Sequence, residues 1–156
     1  MSKRADLFSE LEETQKRGQA TESILKMEFT VRDIPVLVPE FDNEPYDFVV
    51  ELDGVFSRIQ AKTAYQRSSG TVQFETLSTR VRSNGYERDG YEGDIDHFAV
   101  YNPVLDESYL VNIDEAATGK MEIRYEEPKN NQRQGINWHE DFLLEKRLDR
   151  LTTEQS

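Results

Sequence analysis

Two short alternating runs set an aspartate, a glutamine and a lysine on one face: Asp47 in the first run, Gln60 and Lys62 in the second. The runs extend from Tyr46 to Leu52 and from Val55 to Lys62, on either side of Asp53-Gly54. That dipeptide favours a two-residue hairpin turn, because Asp and Gly both tolerate left-handed backbone. With such a turn Leu52 faces Val55, and Asp47 comes directly opposite Gln60 with Cβ atoms roughly 4.5–5.5 Å apart. Lys62 points the same way, about 6–7 Å further along the strand. A carboxylate oxygen and an amide oxygen at this spacing suit a hard, oxygen-loving cation such as magnesium. A lysine beside them can orient an attacking water or neutralise charge growing on a phosphate. An outward hairpin face with a weak Asp–Lys diagonal pair would use the same residues. The hairpin alone leaves both readings open.

The elements that must position these groups are legible in outline. Tyr46, Phe48, Val50, Leu52, Val55, Ile59 and Ala61 fall on the opposite, apolar side of the hairpin, and a slip of one residue would bury the charges instead. Upstream, residues 5–31 carry Leu7, Leu11, Ile24, Leu25 and Phe29 at near-helical spacing. The pattern predicts an interruption at Gly18 and a second helix with Thr21 in its cap region. Ile34 to Pro39 reads as a short peripheral strand bounded by prolines. Thr71–Thr76, Ile95–Tyr101, Tyr109–Ile113 and Met121–Tyr125 read as further strands, residues 78–94 as a long loop, and Asn137–Leu151 as a final helix. Helix, then strands, then helix predicts an α/β (α+β) fold with a mixed sheet. The expected division is a helical extension over 1–16, one domain over 17–151 and a tail over 152–156.

With 156 residues the chain has room for one core. Thirty-one acidic against nineteen basic residues leave a net charge of -12. One basic island interrupts this: residues 57–82 contain Arg58, Lys62, Arg67, Arg80 and Arg82 against Glu75 alone. The acidity fits either a halophilic surface or an acidic interaction protein. The absence of cysteine excludes disulfides, thiolate metal sites and a Cys nucleophile. No stretch resembles a membrane span, and the segment from Met1 to Asp6 does not read as a secretory signal; the expectation is a cytoplasmic protein of a prokaryote, with a haloarchaeal source in keeping with the charge. No Gly-x-Ser-x-Gly elbow, phosphate loop or dinucleotide fingerprint is present. His97 and His139 lack the spacing of a zinc motif and are expected to be structural.

Asp47 followed thirteen positions later by Gln60-Ala61-Lys62 resembles the core signature of the PD-(D/E)XK, restriction-endonuclease-like nucleases. Gln60 stands where most members carry Asp or Glu, and this variant is similar to the group I intron-associated PD-(D/E)XK homing endonucleases. The resemblance covers roughly residues 17–142, through Asp42-Asn43-Glu44-Pro45-Tyr46-Asp47, Tyr91-Glu92-Gly93-Asp94-Ile95-Asp96-His97 and Pro128-Lys129-Asn130-Asn131-Gln132. It implies a restriction-endonuclease-like core, a mixed central sheet flanked by helices, and magnesium-dependent hydrolysis of DNA phosphodiesters, with manganese as a substitute. It also implies a helix glutamate beside the metal, which Glu22 fits by position; a first-turn carboxylate stabilised by the helix dipole is the plainer account. Asp47, Glu22 and the Gln60 oxygen would then hold the metal, and Lys62 would position the water. Arg58, Arg67, Arg80 and Arg82 would contact phosphates, and Lys129, Asn131 and Arg133 in the 129–135 loop could reach base edges. Double-stranded or branched DNA and a homo-oligomer, a dimer or tetramer, are the expected partners. A Holliday-junction resolvase is the rival among enzymes, and a silent DNA-binding or acidic interaction protein the rival outside them.

Overall fold

The computed structural model describes residues 2–82, 85–91, 93–128 and 135–155. Helix α1 covers Lys3–Ser9 and α2 covers Thr14–Thr30. A five-stranded mixed sheet follows, built from β1 (Val36–Leu37), β2 (Phe48–Leu52), β3 (Val55–Thr63), β8 (His97–Asn102) and β9 (Glu107–Asn112), in spatial order β1-β2-β3-β8-β9. Its neighbours are antiparallel except β3 and β8, which run parallel. The chain between β3 and β8 makes β4 (Tyr65–Ser68), β5 (Thr71–Glu75), β6 (Leu77–Arg82) and β7 (Gly85–Gly90). Strand β10 (Lys120–Arg124) joins β5 and β4 in a three-stranded sheet, β6 pairs with β7, and α3 (Leu144–Gln155) ends the fold. The expected mixed sheet with flanking helices is therefore the architecture observed. Among the described residues no helix is long and apolar enough to cross a membrane.

Side-chain alternation divides the core between the two faces of the large sheet. Phe48, Val50, Leu52, Ile59, Ala99 and Tyr101 point to one face, where Phe8 of α1, Leu25 and Phe29 of α2, and Leu144 and Leu148 of α3 cover them. Phe98, Val100, Tyr109 and Val111 point to the other, against Val72 and Phe74 of β5 and Met121 and Ile123 of β10. The helices thus lie on one side, and the second sheet fills the other. Edge-on ring pairs tie the layers together: Phe29 with Phe48 at 5.9 Å and Phe74 with Phe98 at 5.6 Å.

Several local expectations are corrected. Gly18 does not interrupt a helix: α2 runs from Thr14 through it, and the break falls at residues 10–13. Glycine costs about 1 kcal/mol in a helix interior, and the burial of Thr21, Leu25 and Phe29 at helical spacing outweighs that. Thr21 is no cap; it is 1% exposed, and its hydroxyl lies 2.6 Å from that of Thr63. The expected division between residues 16 and 17 falls inside α2, while Ala5 and Phe8 of α1 are buried. At the other end α3 continues to Gln155, across the point where a tail was expected. Residues 78–94 are not a loop throughout, since β6 and β7 form a regular hairpin there, Leu77 pairing with Gly90. The arginines of 77–82 and the glycines and charges of 85–90 obscure the alternation, and strands of a two-stranded hairpin tolerate both. The final segment splits into a short 3-10 turn, His139–Phe142, and α3.

Phe48 is completely buried where α2 meets the large sheet. Phe48→Ala should lower the free energy of unfolding by about 3–5 kcal/mol, because the cavity closes only partly. Urea denaturation followed by circular dichroism reads this directly, as a midpoint shift at constant m value.

Candidate active site

The hairpin forms in the expected register: Leu52 faces Val55 and Phe48 faces Ile59. Asp53 and Gly54 take φ values of 50° and 85°, the pair of left-handed residues a type I′ turn requires. The hairpin departs from expectation at its open end. The Asp47 N–H donates to the Ile59 carbonyl at 2.8 Å, although Ile59 is already the partner of Phe48. Two residues of one strand share one residue of the other, which is the arrangement of a β-bulge, and a bulge re-aims the side chain it carries. Asp47 therefore does not stand squarely across from Gln60. Its Oδ2 instead accepts the Ala61 N–H at 2.8 Å, a donor that a continued β2 would have satisfied.

Helix α2 delivers the second carboxylate. The Thr21–Thr63 contact seats the middle of α2 over the end of β3, beyond the point where β2 begins. Glu22 follows Thr21, and its charge acts on Asp47. Because α2 starts at Thr14, Glu22 lies past the first turn, where the helix dipole no longer accounts for a carboxylate. Burial holds the Asp47 carboxyl above its ordinary range and Glu22 pushes it further, against the Ala61 N–H, Lys62 and Lys26, which favour the charged form. Lys26 was not singled out from the sequence. It stands 3.6 Å from Glu22 in an i,i+4 pair, a spacing that could have flagged it.

Gln60 and Lys62 share the face of Phe98 and Val100, their register partners on β8. The Gln60 amide nitrogen is 3.5 Å from the Ala61 carbonyl, a long contact that leaves its orientation loosely set. Lys62 Nζ lies 3.3 Å from the Tyr91 hydroxyl and 5.1 Å from the centre of that ring. Asp47 thus lies within electrostatic reach of Glu22, Lys62 and Lys26 where β2 parts from β3, and Gln60 precedes Lys62 by two residues on the same face of β3.

The proposed DNA contacts are distributed differently. Arg58 is engaged within the protein: its guanidinium reaches both Asp96 oxygens at 3.1 and 3.2 Å and the Gly93 carbonyl at 2.9 Å. That bond to Asp96 raises Arg58 above its usual range; in return Arg58 holds the Asp96 carboxyl down, overcoming the opposing effect of burial. Arg67 on β4 pairs with Glu122 at 2.7 Å, both side chains half exposed. Arg80 and Arg82 belong to β6. Lys129, Asn131 and Arg133 lie outside the described residues. His97 Nδ1 is 2.7 Å from the Ser57 hydroxyl, and burial lowers its pKa. His139 Nδ1 is 2.8 Å from Glu107.

Comparison with known proteins agrees with this geometry. The family model described as "PD-(D/E)XK endonuclease" matches residues 12–145. Protein 5.3 of Escherichia phage T7 is 35% identical over 108 residues, which span 68% of this chain and 85% of that protein. The structure of a bacterial homing endonuclease, I-Ssp6803I, superposes with a TM-score of 0.72 over 92% of this chain and 95% of its own, at 18% identity, a likeness of fold. The family match runs through α2, the bulged hairpin and β8, the elements that assemble Glu22, Asp47, Gln60 and Lys62, and on that extent the chain belongs to the PD-(D/E)XK endonuclease family.

Proposed function

We propose that the protein hydrolyses phosphodiester bonds of DNA with the aid of magnesium, as a homing-type endonuclease. The observation that carries this reading is the Asp47 carboxylate, pinned by the Ala61 N–H at 2.8 Å and crowded by Glu22. A half-buried carboxylate, pushed above its usual range by desolvation and further by a second carboxylate, is short of positive charge. The donor set of two carboxylates and an amide oxygen suits a small hard cation, so the residues fit magnesium. Asp47, Glu22 and Gln60 would hold it, with manganese an acceptable substitute. Bound there, the metal would supply Lewis-acid neutralisation of the scissile phosphate.

The chain's own groups do the rest. Asp47 is immobilised by a backbone hydrogen bond, so its free oxygen keeps a constant direction. Lys62 presents donors to the attacking water or to a phosphoryl oxygen as negative charge develops. Gln60 carries one negative charge fewer than the usual carboxylate, which weakens cation binding and lessens repulsion of the incoming phosphate. One site addresses one strand at a time, so cleavage of a duplex calls for two copies of the chain. With Arg58 and Arg67 each paired to a carboxylate of the chain, phosphate contact falls to Arg80, Arg82 and the segment with Lys129, Asn131 and Arg133.

The activity test uses supercoiled plasmid, linear duplex and a four-way junction with magnesium or manganese at several salt concentrations. Cutting should require the metal, vanish with chelator, and fall by roughly 10²–10⁴-fold in Asp47→Ala and Lys62→Ala. Undiminished cutting in both variants would sink the assignment, and preferential cutting of the junction would favour a resolvase. Gln60→Glu should lower the half-saturating magnesium concentration about several-fold, as one more anionic ligand joins the site. Linkage gives an independent check. Because the folded carboxyl of Asp47 is raised above its unfolded value, the folded state binds the proton more tightly. The metal-free protein should therefore lose stability as pH rises from the unfolded value through the folded one. Asp47→Asn should remove that loss and raise the melting temperature at neutral pH, while magnesium should stabilise only the wild type.

A further inference from the structure

Lys62 ends in a point charge on a flexible four-carbon stem that carries about 2 kcal/mol of rotamer entropy. A lysine that must aim at one water or one phosphate oxygen needs something to hold it. Among the described residues such a support lies neither on the hairpin nor on α2, but in the turn that leads into β8. Tyr91 places its hydroxyl 3.3 Å from Lys62 Nζ and its ring centre 5.1 Å from the same atom. An ammonium has three donors; one spent on the Tyr91 oxygen leaves two for chemistry.

Tyr91 is itself rigidly held. Its side chain is 6% exposed and packs edge-on against Phe98, with ring centres 5.5 Å apart at 90°. Its carbonyl accepts from the Asp94 and Ile95 N–H groups at 2.9 and 3.2 Å, which closes the turn. The turn is tied to β3 through Arg58: the backbone N–H and the guanidinium of Arg58 both reach Asp96, and the guanidinium also takes the Gly93 carbonyl. Strand β3 thus grips the turn at Arg58, and the turn reaches back to β3 at Lys62, on the same face. This loop of contacts fixes the ring relative to the lysine without any contribution from the hairpin turn.

We infer that Tyr91 is the positioning residue for Lys62, holding the ammonium by its hydroxyl at the site. The inference rests on the nuclease reading above, in which Lys62 acts on water or phosphate. The test compares wild type, Tyr91→Phe and Tyr91→Leu by steady-state cleavage and by the proton chemical shift of the Lys62 Cε methylene, which the nearby ring current displaces. Tyr91→Phe loses the hydroxyl and should lose about threefold in kcat; Tyr91→Leu also loses the ring that carries it and should lose about tenfold or more, with KM unchanged. That displacement should persist in Tyr91→Phe and disappear in Tyr91→Leu. Wild-type kcat in a folded Tyr91→Leu protein would overturn the inference. So would a fall in kcat and melting temperature together with an unmoved Lys62 shift, because Tyr91 would then serve packing alone. If wild type cuts no substrate, the nuclease reading fails by itself. The shift then still decides whether Tyr91 holds the lysine: present in wild type and lost in Tyr91→Leu sustains the contact, and its absence in wild type refutes it.

Discussion

The hydrogen bond from the Ala61 N–H to the Asp47 carboxylate organises everything around it. Strand β3 is longer than β2, so beyond Phe48 its backbone faces no regular partner on that side. A sheet donor left unpaired away from water costs about as much as a lost hydrogen bond. Proline at position 45 has no N–H and cannot extend the ladder, and the bulge at Asp47 supplies an anionic acceptor instead. A hydrogen bond to a charged group contributes about 1.5–3 kcal/mol, which offsets part of the burial that disfavours its charge. The same bond that completes the sheet also directs the acid.

Placement of the other groups follows from the two-sided core. The helical layer brings Glu22 and Lys26 to one side of the gap, because Thr21, Leu25 and Phe29 must face the sheet. The opposite layer brings Tyr91 to Lys62, because Phe98 and Phe74 need an aromatic cover. The site lies at the end of β3, where the two layers meet around a strand that lacks a neighbour. Neither layer contains the whole constellation.

Charge is used sparingly at this seam. The chain as a whole carries -12, yet Asp47 faces two lysines, and Arg58 is matched by Asp96. The basic island read along the chain is in space partly an internal staple. Arg58 fastens the turn before β8, and Arg67 pairs across to β10 through Glu122. Its apparent surplus of positive charge is therefore smaller on the surface than in the linear sequence.

Local chemistry carried much of the outline. Alternation with period two and the Asp-Gly dipeptide specify a hairpin whose register leaves Asp47, Gln60 and Lys62 on one face, since any slip would bury charge. The order of helix, hairpin and later strands likewise specified a mixed α/β core. What the sequence could not state was anything decided by a partner distant along the chain. Whether Gly18 breaks a helix depends on the burial of Thr21 and Phe29, and whether residues 77–90 form strands depends on their pairing with one another. The bulge depends on where β2 stops, and Arg58 meets Asp96, like Lys62 and Tyr91, only once β3 lies parallel to β8. Spacing and residue type therefore named the candidate groups, while packing alone aimed them, because direction in a side chain is set by whatever it touches.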